Sequence, residues 1–298
     1  MMRYLSYLVL LLSASSAYAS QKVYAIAELQ SSPHLALVNY ALQATEAEYG
    51  KVELTFVEPM TQGRVEQLVK AGEVLQLAVF APNPSRETKL LPVYFPLSLG
   101  LLGYRVCLIT PEQQAKFSAI NTLDDWRNAD LLIGQGANWP DVDILRANNL
   151  LVTVNPLPFL LFDMLKQQRF DCYARSINEV AYELSLPEAA GLVAEKSLLF
   201  YYPQPAMLFV APTEPALAER LQKGLEQAWQ TGFIHAHFAK HYGAVITQLA
   251  CERRQILMLE NPLLTAKVQQ LMQQYAPDPA QLLNTASANC PAPASAMQ

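Results

Sequence analysis

The chain is sparing in charge and lacks the usual signatures of cofactor chemistry. Only 16% of its 298 residues are charged, and 21 basic residues are outnumbered by 26 acidic ones. That mild acidity argues against nucleic acid, which selects a basic face. No CxxC pair occurs, so a thiol redox site or a zinc site has little support. The nearest approach to a dinucleotide loop is LLIGQGANWPDVDIL, where Gly134 and Gly136 are present but Trp139 stands in place of the third glycine. An indole there is incompatible with the close packing that such a loop needs. No Lys-Ser or Lys-Thr pair follows these glycines, which removes the nucleoside-triphosphate alternative. The apolar run LPVYFPLSLGLLGYRVCLIT is broken by Pro92, Pro96, Gly100, Gly103 and Arg105, and reads as buried strands rather than a membrane span. No internal repeat is evident.

What is present begins with an export signal. Arg3, the apolar run YLSYLVLLL and the small residues ending at Ala17 and Ala19 predict a signal peptide over residues 1–19, cut before Ser20. Its core is too short to span a bilayer, and no cysteine near the cut provides for a lipid anchor. The expected product is periplasmic and not membrane-embedded. In an oxidising compartment four cysteines permit disulfides, with three full pairings open. Cys107 and Cys172 lie in strand-like runs, and Cys251 and Cys290 flank the C-terminal region. A Cys251–Cys290 bond pinning the tail is the pairing expected, with four free or buried thiols as the alternative.

Strand-like and helix-like segments then alternate. KVYAIAEL, VELTFVE and VLQLAVFA read as strands, separated by the helices PHLALVNYALQATEAEYG and RVEQLVKAG. Beyond residue 120, ADLLIG, LVTVN and FDCYARS alternate with helices through DILRANN, PLPFLLFDMLKQQ and INEVAYELSL. Alternation of this kind predicts an α/β protein with open, mostly parallel sheets flanked by helices. Two series of similar size predict two lobes: 20–98 plus 200–260, and 99–199, with 261–298 as an extension and flexible tail. Leu217, Leu221, Leu225 and Trp229 form a core-facing helical stripe.

Several segments, in order, resemble a type II periplasmic solute-binding protein of the amino-acid-binding (family 3) group. RVEQLVKAGEVLQLAVF followed by SRETKLLPVYFP is similar to the family's helix, strand, arginine and hinge. TLDDWRNADLLIGQGANWPDVDIL resembles its entry into the second lobe. MLKQQRFDCYARSINEVAYEL and GLEQAWQTGFIHAHFAKHYG resemble its later strand and closing helix. The resemblance covers roughly residues 22–243. It implies two lobes closing on a small solute, at the carboxyl ends of the strands where open α/β sheets bind ligands. Gly134 and Gly136 then provide a sharp turn, and a helix starting at Asn138 offers N–H donors to a carboxylate. Gln135, Gly136, Asn138 and Trp139 are therefore candidate ligand contacts.

Arg86 falls where the family grips a ligand carboxylate, and a guanidinium suits that bidentate task. The alternative is a solvated loop arginine paired with Glu87 or another surface acid. At the family's ammonium-binding aspartate this chain offers neutral Asn178 or Ser176, with Arg175 beside them. An amine is then met by Glu28 or is absent from the ligand. Arg175 pointing out of the cleft is the alternative to a ligand contact. His34 occupies a position where relatives place a stacking aromatic, although a surface-loop histidine is the plainer reading. Asp171 is expected to cap a strand start. His235, His237 and His241 are better explained as part of a packed helix than as a metal site. No metal and no cofactor are expected.

The leading expectation is a monomeric binder of a small polar, carboxylate-bearing solute, an amino acid or organic acid. Its partner is an ABC importer permease or a membrane sensor, and no chemistry is required of it. The alternatives are a secreted enzyme on the same fold, such as a dehydratase, and a degenerate receptor or interaction module.

Overall fold

The computed structural model describes residues 21–290; the predicted signal peptide and residues 291–298 of the expected tail lie outside them. Four strands open the chain: β1 (Gln21–Ile26), β2 (Val52–Val57), β3 (Leu77–Phe80) and β4 (Leu91–Val93). Then come β5 (Tyr104–Ile109), β6 (Leu132–Gly136), β7 (Leu151–Asn155), β8 (Cys172–Ser176), β9 (Val193–Ala194) and β10 (Leu198–Tyr201). β11 (Met207–Val210) and β12 (Gln255–Met258) follow. The strands make two sheets flanked by helices. The first has the order β2-β1-β3-β11-β4, and the second β12-β10-β5-β8-β6-β7 with β9 beside β5. β1, β2 and β3 are parallel, as are β8, β6 and β7, while β11 and β5 run against their neighbours. This is the α/β, two-lobed architecture that the alternation predicts.

The first lobe is built around the helices His34–Ala44 and Pro215–Gln230. The stripe of Leu217, Leu221 and Leu225 is buried against Leu37, Val38 and Ala41. Thr45, whose hydroxyl turns back to the Ala41 carbonyl (2.7 Å), ends the first of these helices ahead of a short second one, Glu46–Tyr49. The predicted single helix is therefore two. Gly224 stands where the long pair approaches most closely: a Cβ there would lie 2.4 Å from the Cα and carbonyl oxygen of Ala41. Backbone cannot yield as a side chain tip can, so Gly224→Val should destabilise the protein by about 1–3 kcal/mol. Urea unfolding checks this, and an unchanged midpoint would show that the two helices separate freely.

The second sheet carries an apolar core on each face. Cys107 of β5 and Cys172 of β8 are bonded across neighbouring strands, with Cα atoms 5.0 Å apart. Cys251 and Cys290 are bonded as well, at 5.4 Å. No helix among the described residues is long and apolar enough to cross a membrane.

Two boundaries differ from the sequence reading. β10 and β12 belong to the second sheet, pairing in parallel from Leu198↔Gln255 to Tyr201↔Met258, although 200–260 reads as first lobe. The helix Phe233–Glu252 passes from one lobe to the other, with Ile234 in the first core and Tyr242, Ile246 and Leu249 in the second. The segment beyond Pro277 also forms a helix where a flexible tail is expected. Asp278 caps Pro279–Ser287 by accepting from the Gln281 N–H (3.0 Å), Pro279 suits the first turn, and Leu282, Leu283 and Ala286 pack on the second lobe. The composition that suggests disorder is overridden by a cap, an apolar face and a disulfide.

Candidate functional site

Arg86 enters the site on a short helix at the end of β3. The Asn83 side chain accepts from the Arg86 N–H (2.8 Å) and Pro84 follows it, which starts the helix Pro84–Lys89 and turns Arg86 inward. The side chain is 2% exposed and is not the solvated arginine of the plainer reading. Its Nε donates to Glu66 Oε2 (2.9 Å), Nη1 to the Ala81 carbonyl (2.8 Å) and Nη2 to Gln62 Oε1 (2.8 Å), and the guanidinium lies 4.6 Å from the Phe80 ring centre. Burial lowers its pKa, against the raising influence of Glu66 and of Asp141. Its partner Gln62 precedes Gly63, where a Cβ would lie 3.1 Å from Nδ2 of Asn138 in the second lobe, so this corner of the first lobe adjoins the second.

The second lobe meets it with a buried ionic network. Arg105 of β5 bonds Asp141 through Nη2 (2.7 Å), lies 3.7 Å from Glu179 through Nη1, and sits 5.8 Å from the Tyr202 ring centre. The Tyr202 hydroxyl donates to the same Asp141 oxygen. Arg175 of β8 holds Glu183 through Nε, 2.8 Å from both carboxylate oxygens, and reaches Glu179 at 3.2 Å. It lies 4.4 Å from the Trp139 ring centre and 5.2 Å from that of Tyr173. Burial is the largest influence on both guanidiniums and opposes their charge, yet the surrounding carboxylates hold both pKa values above the ordinary range. Burial pushes the Tyr202 phenol well up, so it remains a donor.

Two guanidiniums of this lobe therefore face three carboxylates, Asp141, Glu179 and Glu183. Arg175, expected either as a ligand contact or as pointing out of the cleft, is paired with acids of its own lobe. Glu179 is the open member, its side chain 38% exposed.

The Gly134–Asp141 stretch departs from its predicted role. Neither Gly134 nor Gly136 has a positive φ; both lie in β6 as close-approach positions. A Cβ on Gly134 would come within 2.5 Å of the Phe170 ring, and one on Gly136 within 2.6 Å of the Trp139 indole. The helix starts at Asp141, not Asn138, and Pro140 before it has no N–H to offer. The Trp139 N–H is already spent on the Gly136 carbonyl (3.0 Å). The group at this helix start is the carboxylate of Asp141, which the helix dipole and Arg105 both favour. The chain supplies its own anion there.

The other candidates separate. Gln135 is 0% exposed and donates to the Ala174 carbonyl (3.0 Å), so it lies inside the lobe rather than on the gap. Ser176 donates to the distant Leu101 carbonyl (3.2 Å) and bonds Asn178, while its N–H goes to Glu179 (3.3 Å) as part of a helix capping box. Asn138 is exposed and meets Gly63 of the first lobe, where a Cβ would be 3.1 Å from its Nδ2. Glu28 is exposed on the helix Ala27–Ser31, where the first predicted strand has already ended. Asp171 accepts from the Leu132 N–H (2.8 Å) and pairs with Lys116 (2.7 Å), the structural role expected of it.

His34 is not a surface-loop residue. It is 8% exposed, and its Nε2 is 3.4 Å from the Tyr242 hydroxyl. Burial, aided by His237, pushes its pKa down to about 4. The His237 and His241 rings are 4.4 Å apart, and no three His, Cys, Asp or Glu side chains among the described residues gather to hold a metal.

Sequence reasoning missed Arg105, Asp141, Glu179, Glu183 and Tyr202. One signal was available: Arg105 stands inside the fully buried strand YRVCLI, and a charge there requires a partner. Arg175, Glu179 and Glu183 also follow at intervals of four.

No protein-family model matches the chain, and no curated protein matches it. Solved structures do. A Salmonella typhimurium periplasmic binding protein described for high arginine specificity aligns at TM-score 0.55 and 11% identity, over 75% of this chain and 100% of that one. An ancestral amino-acid-binding protein, described as a precursor of cyclohexadienyl dehydratase, gives 0.54 and 13%, over 75% and 95%. The glutamate-bound ligand-binding core of GluR0 from Nostoc punctiforme gives 0.51 and 12%, over 74% and 99%. The chain has the two-lobed fold of amino-acid-binding periplasmic proteins. These neighbours are matched nearly whole, while about a quarter of this chain lies outside the match.

Proposed function

We propose that this protein binds a small polar solute between its lobes, in the periplasm, and presents it to an ABC importer permease or a membrane sensor. The observation that carries this reading is a pair of buried charged groups on the two lobes: Arg86, whose partner Gln62 lies beside the Gly63–Asn138 approach of the lobes, and a second-lobe network with more carboxylates than guanidiniums. Such a gap suits a solute with both signs of charge, a carboxylate toward Arg86 and a cationic group toward Glu179. An amino acid fits better than a simple organic acid. The neighbours described as binding arginine and glutamate are consistent with that class. Glu28, the general acid or base considered for the dehydratase alternative, is exposed on the helix Ala27–Ser31. One observation favours the interaction-module reading instead: Arg86 and Arg175 already have partners within the chain.

Calorimetry with L-arginine, L-glutamate and succinate distinguishes these readings. Arg86→Ala and Glu179→Gln should each weaken amino-acid binding by about 1.5–3 kcal/mol, roughly ten- to a hundred-fold. Binding of succinate alone would overturn the two-charge solute. No heat with any amino acid tested would turn the reading toward the interaction module.

A further inference from the structure

The chain beyond the helix Phe233–Glu252, itself a passage between the lobes, touches both lobes and the two strand-to-strand crossovers in turn. Arg253 adopts a left-handed conformation (φ 51°) and reverses the chain. Arg254 is buried against the second lobe, donating to the Leu198 carbonyl (2.9 Å) and Glu252 (2.6 Å). β12 then extends the second sheet. The Glu260 backbone exchanges two hydrogen bonds with the Asn148 side chain (2.8 and 3.0 Å).

From there the segment moves to the crossovers and the first lobe. Asn261 donates to the carbonyl of Pro203, in the crossover between β10 and β11 (2.8 Å). Thr265 donates to Glu87 (2.8 Å), and the Lys267 ammonium lies 3.5 Å from the Tyr94 ring centre. The helix Ala266–Tyr275 puts Val268, Leu271 and Met272 into the first lobe's core. Tyr275 packs on Phe95 (4.9 Å) and Trp229 (4.8 Å). It also covers the other crossover: a Cβ on Gly100 (φ 86°) would lie 2.7 Å from Met272 Cε and 3.1 Å from Ala276 Cβ. The helix Pro279–Ser287 returns to the second lobe, and Cys290 closes on Cys251.

We infer that residues 253–290 are a strap that restrains hinge motion between the lobes. Two-lobed proteins open by φ/ψ changes in a few crossover residues. Here one crossover lies under the strap helix and the other is bonded to it. Both ends of the segment are secured on the second lobe, by β12 and by the disulfide. Opening then strains the seat of Ala266–Tyr275 in the first lobe's core and is resisted by the contacts that hold it there. The strap acts on the hinge whatever the gap binds.

Hydrogen exchange and small-angle scattering on the full oxidised chain test this without a ligand. In Cys251→Ser/Cys290→Ser, and separately in Thr265→Ala/Lys267→Ala, amides of 94–103 and 202–206 should exchange at least about ten-fold faster. The radius of gyration should rise, while β1, β3, β6 and β8 keep their protection. The second variant leaves both disulfides intact and covers the case in which the first does not fold. Faster exchange in 266–275 with the two crossovers and the radius of gyration unchanged would overturn the strap.

Discussion

Asp141→Ala is expected to be the most damaging single change in the second lobe, lowering stability by about 3–5 kcal/mol. Asp141 is buried, bonds Arg105 at 2.7 Å and accepts from the Tyr202 hydroxyl. Removing it leaves a buried guanidinium and a phenol without their acceptor, and Arg105 Nε already has no partner. Glu179, at 3.7 Å, is too distant to take over without moving. The loss comes from the stranded charge rather than from the worth of the pair, because burying two ions has its own cost in desolvation. Arg105→Met/Asp141→Leu should therefore recover part of the stability lost in Asp141→Ala. Urea unfolding of the three proteins decides the matter. A loss below about 1 kcal/mol, the range of solvent-exposed pairs, would show that water reaches the network.

Mild acid should weaken the fold through His34. Its folded pKa of about 4 lies below the ordinary imidazole value of 6.5, because burial disfavours the imidazolium. As pH falls below 6.5 the unfolded chain takes up a proton that the folded chain refuses until about pH 4. Stability is thus fully present above 6.5 and is lost between 6.5 and 4. Integration over that window gives about 3 kcal/mol for this one residue. His237 is shifted the same way by burial, with His241 and Lys240 adding to it. Unfolding free energies at pH 7 and pH 4.5 for the wild type and His34→Gln measure the effect of His34 together with its coupling to His237. An equal pH dependence in both proteins would remove His34 from the account.

The folding pattern was largely readable because its signals are local. Short apolar-rich runs mark β1, β2 and β3, Gly50 follows the end of a helix, and the leucine stripe of Pro215–Gln230 faces its core. The errors fall where distant contacts outweigh local composition. The Pro- and Ala-rich segment after Pro277 becomes ordered through Cys251 and the second lobe. Gly134 and Gly136 were expected to turn the chain, but are needed because Phe170 and Trp139 lie on them. Nothing within LLIGQGANW announces that approach.

The sequence by itself determined the alternation of strands and helices and the presence of two such series. Hydrophobic period and capping act over a few residues and do not depend on what lies opposite. Only the tertiary structure decided which charges meet. Arg105 and Asp141 are separated by more than an entire strand and helix, and Tyr202 reaches Asp141 across 61 positions. β5 running against β8 sets Arg105 opposite Ser176 and Val106 opposite Arg175. A one-residue slip of β8 in that register would turn Arg175 to the face that Ser176 now occupies. Whether an arginine is open to a solute or paired within the chain follows from that register, because in a buried site the nearest carboxylate determines what its charge can do.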